Sequence, residues 1–247
     1  MNSETDHVDP QFQQKKTAYF QDFFLRHLTE AREFKRHGLL NEKGAKEWRN
    51  VARHQLLSAV MTQTVAELIK LPHDKVFWLT NVSLTHDVNK RREQEGHLKA
   101  EVIEKELHKD ERPLVATSSN FTGFSEWGIY EYILRYVDSS VGEDPNDPNA
   151  GQWLGPRDPN TLPDVLIVPW RQRVKMFREN KEEEGKRGKE LYEMSTWDKL
   201  EQIMTTIEQD LFGKIIKKNP DLAKTYTQSS RLTELVENRI HENIMSS

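Results

Sequence analysis

The sequence predicts an all-α fold, and three observations carry that reading. Apolar residues recur at spacings of three and four over long stretches, the period of a helix with one buried face. No pair of segments shows the strict alternation of a half-buried strand. Proline and glycine fall mostly between the periodic stretches, where they end helices. The 247 residues suffice for one sizeable domain, and six Trp, ten Phe and six Tyr supply a core despite 31% charged residues. That aromatic content excludes wholesale disorder.

Taken in order, residues 1–10 are polar and predict a flexible tail. Phe12, Tyr19, Phe20, Phe23, Phe24 and Leu28 mark a helix from about Gln11 to His37, with Gly38 where a C-terminal cap is expected. A second helix runs from about Lys43 to Lys70, with Val51, His54, Ser58, Met61, Val65 and Leu68 on one stripe, and Pro72 ends it. Asp74 is placed to cap a third helix that carries Val76, Phe77, Leu79, Val82 and Leu84 and ends at His86-Asp87. Residues 88–96 form a charged connection, His97–His108 is helical, and Pro113–Gly123 is again a connection. Ser125 is placed to cap a helix from Glu126 to about Ser139. Residues 142–164 hold five prolines and four aspartates, a composition that predicts a long irregular loop. Helices resume at about Asp164–Asn180, Lys189–Lys218 and Arg231–Met245, the first two joined by the charged residues 181–189.

Composition closes off several function classes. The net charge of −4 disfavours nucleic acid as a partner, because phosphate-binding surfaces carry a basic excess. With no cysteine there is no disulfide, thiolate metal site or thiol nucleophile. No apolar run reaches membrane-spanning length and the N-terminus lacks the apolar region of a signal peptide, so the expected setting is cytoplasmic. Phosphate-cradling glycine loops, dinucleotide fingerprints and serine-nucleophile elbows are absent from the sequence.

Four residues stand out by position. His54 lies mid-helix on an apolar stripe, His86 and Asp87 close an apolar helix, and Asp138 ends another. Each has an ordinary explanation alone: a hydrogen-bonded core histidine, or an aspartate accepting from the following turn. Together they are a ligand set, because buried imidazoles and carboxylates need a compensating partner. A nitrogen and carboxylate set suits one divalent ion, with Mn, Fe, Ni, Co, Zn and Mg all open. A second His-Asp pair, His73-Asp74, follows Pro72 at a helix start and reads as a linker histidine plus a cap.

The order His, His-Asp, Asp on three separate helices resembles the HD-domain superfamily of metal-dependent phosphohydrolases. The segments that carry the likeness are RHQLLSAVMTQTVAEL around His54, VSLTHDVNK around His86-Asp87 and YILRYVDSS around Asp138. They span roughly residues 45–140, and LIVPWRQRVKMFREN looks like the family's helical continuation. The resemblance implies an HD-type helical core over residues 11–140, the Pro/Asp-rich loop over 141–164, and C-terminal helices over 165–247 packed on that core. It also implies a metal held by His54, His86, Asp87 and Asp138, with Asp87 and Lys90 as the catalytic residues. Lys90 is either a point charge for phosphate or a solvated loop lysine. His97 is open as an extra ligand or a surface residue. No histidine falls in Ser118–Asn120, which favours one metal over two. Arg171 and Arg173, just past the loop, are candidate phosphate grips or ordinary helix-surface arginines.

The expected function is hydrolysis of a small phosphate ester, of which nucleotides are the favoured class. The alternative is a non-catalytic HD scaffold that binds a nucleotide or a protein. A homo-oligomer is compatible with the apolar face of the Lys189–Lys218 helix.

Overall fold

The computed structural model describes residues 9–37, 39, 49–91, 121, 123–150, 162–180, 185, 186, 189 and 192–247. Among them are eight α-helices and one two-stranded sheet, so the fold is all-α. The helices are α1 (Pro10–Arg26), α2 (Leu28–Arg36), α3 (Arg49–Leu68), α4 (His73–Thr85), α5 (Ile129–Ser140), α6 (Trp170–Asn180), α7 (Thr196–Lys218) and α8 (Leu232–Met245). The strands are β1 (Val141–Glu143) and β2 (Val165–Ile167).

The centre is the hairpin of α3 and α4, which pack along each other. A four-residue link turns between them. Lys70 takes a left-handed φ of 62° there, and Leu71 donates to the Ala66 carbonyl at 3.0 Å. Helix α5 packs across α3, α7 covers α5 and α6, and α8 lies against α3 and α1. Val60, Met61, Leu79, Leu84, Ile133, Ile203, Ile207 and Leu211 meet in one continuous core, each 1% exposed or less.

Several expected boundaries move, each for a visible reason. The single helix over Gln11–His37 is two, broken at His27 (φ −108°, ψ 34°). The His27 ring is buried, stacks on Phe77 and bonds to Asn81, and that tertiary anchorage overrides a helical pattern without Pro or Gly. Asp74 is not the cap of α4; Pro72 holds that position, and Asp74 lies in the first turn, where its charge complements the helix dipole.

Ser125 falls in a 3-10 turn (Phe124–Glu126), and α5 begins later, at Ile129. Gly128 caps α5, its N–H donating to Glu131 Oε2 at 2.9 Å. Helix α6 starts at Trp170 rather than Asp164, because Val165–Ile167 is a strand and Pro169 follows it. Helix α7 starts at Thr196 rather than Lys189, capped by Ser195, whose Oγ accepts from Asp198 N at 3.1 Å. The start of α3 near Lys43, the cap at Gly38 and the helix His97–His108 lie outside the described residues.

The two strands are the one element type the sequence reading omits. They pair antiparallel with Val141 opposite Ile167, Gly142 opposite Leu166 and Glu143 opposite Val165. At three residues each they are too short for a period of two to show. Their importance is positional: β1 continues directly from α5, so the end of the helix carrying Asp138 is tied to the segment that leads into α6.

Candidate metal centre

Three backbone elements bring four side chains into one neighbourhood. Helix α3 presents His54 from its middle, buried and 1% exposed. His86 and Asp87 sit in the turn that closes α4, and Asp138 lies in the last turn of α5. His54 Nε2 is 3.2 Å from His86 Nε2 and 3.3 Å from Asp138 Oδ1. His86 Nε2 is 3.6 Å from Asp138 Oδ1 and 3.8 Å from Asp87 Oδ2. Ligands about 2.1 Å from a metal stand roughly 3.0–3.4 Å apart at octahedral or tetrahedral angles. The His54–His86 and His54–Asp138 separations fall in that range and the two from His86 to the carboxylates are wider; His54, His86 and Asp87 form a cluster able to hold a metal, and Asp138 stands outside that trio, against both histidines.

The supporting shell fixes this geometry. His86 Nδ1 donates to the Ser83 carbonyl at 2.7 Å, which leaves Nε2 as the ligand nitrogen. Gln55, fully buried beside His54, accepts from Val88 N at 2.7 Å and Asp87 N at 3.2 Å when its oxygen faces those amides. The neighbour of one ligand thereby pins the backbone that carries two others. Arg135, one turn before Asp138 and stacked over Phe121, stands 3.7 Å from Asp138 Oδ2. That cation leaves Oδ1 to face the histidines. Neither Gln55 nor Arg135 figures in the sequence reading. The available signal is their spacing: one residue after His54, and three before Asp138 on the same face.

Charge follows from burial and proximity. Burial alone lowers the pKa of His86, yet Asp87, Asp138 and the Ser83 carbonyl together push it up to about 9. For His54 burial prevails, aided by the charge of His86, and its pKa falls. Burial works against ionisation of Asp138, but hydrogen bonds from both imidazoles hold its carboxyl well below the usual range. Asp87 is also lowered: burial is outweighed by Lys90, His86 and His54. Without a metal, a proton on His86 supplies the positive charge the cluster needs.

The other expected residues divide. Lys90 Nζ is 3.9 Å from Asp87 Oδ1, at the edge of the cluster. The side chains of Asp87, Lys90 and Asp138 are each 22% exposed, so the cluster has an open side. Arg173 reaches the site from α6 but spends its Nη1 on the backbone, donating to the carbonyls of Asp138 and Val141. Arg171 does not join it. Its guanidinium forms a two-pronged pair with Glu208 (2.8 and 2.7 Å), a carboxylate that also accepts from Trp170 Nε1 at 3.0 Å. His97 lies outside the described residues.

A groove of about 990 Å³ runs between α1, α3 and β2, lined by Phe20, Phe24, Leu25, Leu56, Leu57 and Leu166 among others. None of the four cluster residues lines it, so this groove and the candidate chemistry are separate.

Comparison with protein-family models, with curated proteins and with solved structures returns no significant match. No described helix is long and apolar enough to cross a membrane.

Proposed function

We propose that this chain is a metal-dependent phosphohydrolase of the HD-domain type, acting on a small phosphate ester, with nucleotides the expected class. The observation that supports it is the cluster of His54, His86 and Asp87, with Asp138 against both histidines, walled by core on one side and open on the other. A divalent ion held there would acidify a bound water and neutralise a phosphoryl oxygen. The chain's own residues do the rest. His54 and Asp138 anchor the ion from helices that cannot shift without opening the core. Asp87, partly exposed beside Lys90, is placed to orient the attacking water. Lys90 offers a compact positive charge at the rim to draw the phosphate in.

The deciding experiment pairs metal analysis with a phosphate-release screen over nucleotides and other small phosphate esters. Near one equivalent of metal per chain, lost in His86→Ala and Asp87→Ala, with release from at least one ester, is the expected result. Metal-dependent stabilisation with no release from any ester would move the assignment to a binding scaffold. Absence of metal from a folded wild type would sink both readings.

A further inference from the structure

We infer that Arg173 is a positioning residue for the metal ligand Asp138, and that Gly142 is the slot that lets it act; this rests on the reading of the cluster as a metal centre.

Asp138 occupies the last turn of α5, where backbone carbonyls have no partner within the helix and the turn is prone to fray. A ligand on such a turn is held only as well as the turn is capped. The cap comes from the segment that enters α6. Val168 N donates to the Ser140 carbonyl at 2.8 Å, and Arg173 Nη1 donates to the carbonyls of Asp138 and, at 2.5 Å, Val141. Three carbonyls at the helix end are thus taken by residues 168–173, and a cation sits where the helix dipole favours one. The guanidinium binds the carbonyl of Asp138 itself, so it fixes the stretch of backbone from which the carboxylate projects.

Gly142 makes the arrangement sterically feasible. A Cβ built on Gly142 would lie 2.7 Å from Arg173 Cζ and 2.9 Å from Cδ, closer than real contacts allow. Any larger residue must push the Arg173 side chain away. Moving it disturbs the bonds to Asp138 and Val141 together, because both are made by the same nitrogen. Arg173 Nε is buried without a hydrogen-bond partner, so the hold depends on that one nitrogen. The glycine and the arginine therefore act as one unit, although 31 positions separate them in the chain.

The test is a Co(II) titration of the full chain, followed by visible absorption, on wild type, R173A, R173K, G142A, the R173A/G142A double variant and R178A. Arg178 lies on the same helix in an exposed pair with Asp198 and controls for general loosening of α6. Loss of support around a metal ligand typically weakens binding about tenfold or more. R173A and G142A should both weaken Co(II) by about that factor and alter the absorption envelope as one carboxylate loosens. R173K, able to keep one carbonyl bond, should fall between wild type and R173A. R178A should match wild type. G142A should add nothing in the R173A background, since its effect runs through the arginine. R173A and G142A both binding within about twofold of wild type, with unchanged spectra, would overturn the inference while leaving the metal reading intact. Should R173A fail to fold, G142A and R173K decide alone. A wild type that takes no Co(II) would instead remove the reading beneath, and the inference with it.

Discussion

At the scale of single residues, the cluster is a charge-balance problem with two solutions. Two carboxylates and two imidazoles meet in a mostly dry pocket, and such a group is expensive without a cation. A metal is one solution and a proton on His86 is the other. The second gives a prediction for the metal-free protein. The pKa of His86 is raised from its ordinary 6.5 to about 9, so the folded state binds this proton more tightly than the unfolded chain does. The resulting stabilisation is fully present below about pH 6.5 and is lost as pH rises through about 9. Denaturant unfolding of chelator-treated protein should show stability declining across that window, and His86→Ala should flatten the slope. A pH-independent wild type would contradict the picture. Metal and proton compete for the same nitrogen, so metal uptake in that window should also release a proton. Calorimetry in buffers of different ionisation enthalpy would detect it.

At the scale of elements, α6 and α7 illustrate a charge used for architecture. Glu208 is buried in the face of α7 and is shared by Arg171 and Trp170 of α6. Glu208→Ala leaves the buried Trp170 indole without its acceptor, while the part-exposed Arg171 can turn to water, and should cost roughly 1–3 kcal/mol of stability. Arg171→Ala should lower stability as well, because it leaves Glu208 buried with only the indole, while metal affinity stays as in wild type. Ile207→Ala, at a position with no exposure, should cost about 3 kcal/mol through the cavity it leaves, again without touching the metal. Chemical unfolding beside a metal titration separates these effects.

The same elements show what is legible in the sequence. The interiors of α3, α7 and α8 can be read from their period, because long helices with one buried face repeat the signal many times. His54, His86, Asp87 and Asp138 stand out because each interrupts an apolar face with a metal-competent group. The break at His27 is invisible, since its cause is a ring stacked on Phe77, 50 positions away in sequence. The strands leave no pattern at three residues each. Arg135 and Gln55 look like ordinary polar helix residues until the neighbours they hold are known. Arg173 is visible as an arginine near the site, but only the fold shows that its nitrogen faces two carbonyls.

For the whole molecule, the centre joins parts of the chain that are far apart: α3, the end of α4, and the end of α5 backed by α6. A metal bound by all of them stabilises only the folded arrangement. Metal at a hundred times its dissociation constant should therefore raise stability by about 2.7 kcal/mol. Thermal melts with and without ion should register this in wild type and not in Asp138→Ala. The β1–β2 pair has a consequence for how the protein can vary. Glu143 and Val165 face each other in register, and Asp144 N donates to the Asp164 carbonyl at 2.8 Å just beyond them. The Pro/Asp-rich stretch between them thus leaves and re-enters the fold through one narrow gate. Doubling the length of a loop closed at its base costs only about 0.6 kcal/mol. Trimming or lengthening the stretch should therefore change stability little while His54, His86 and Asp87 keep their places.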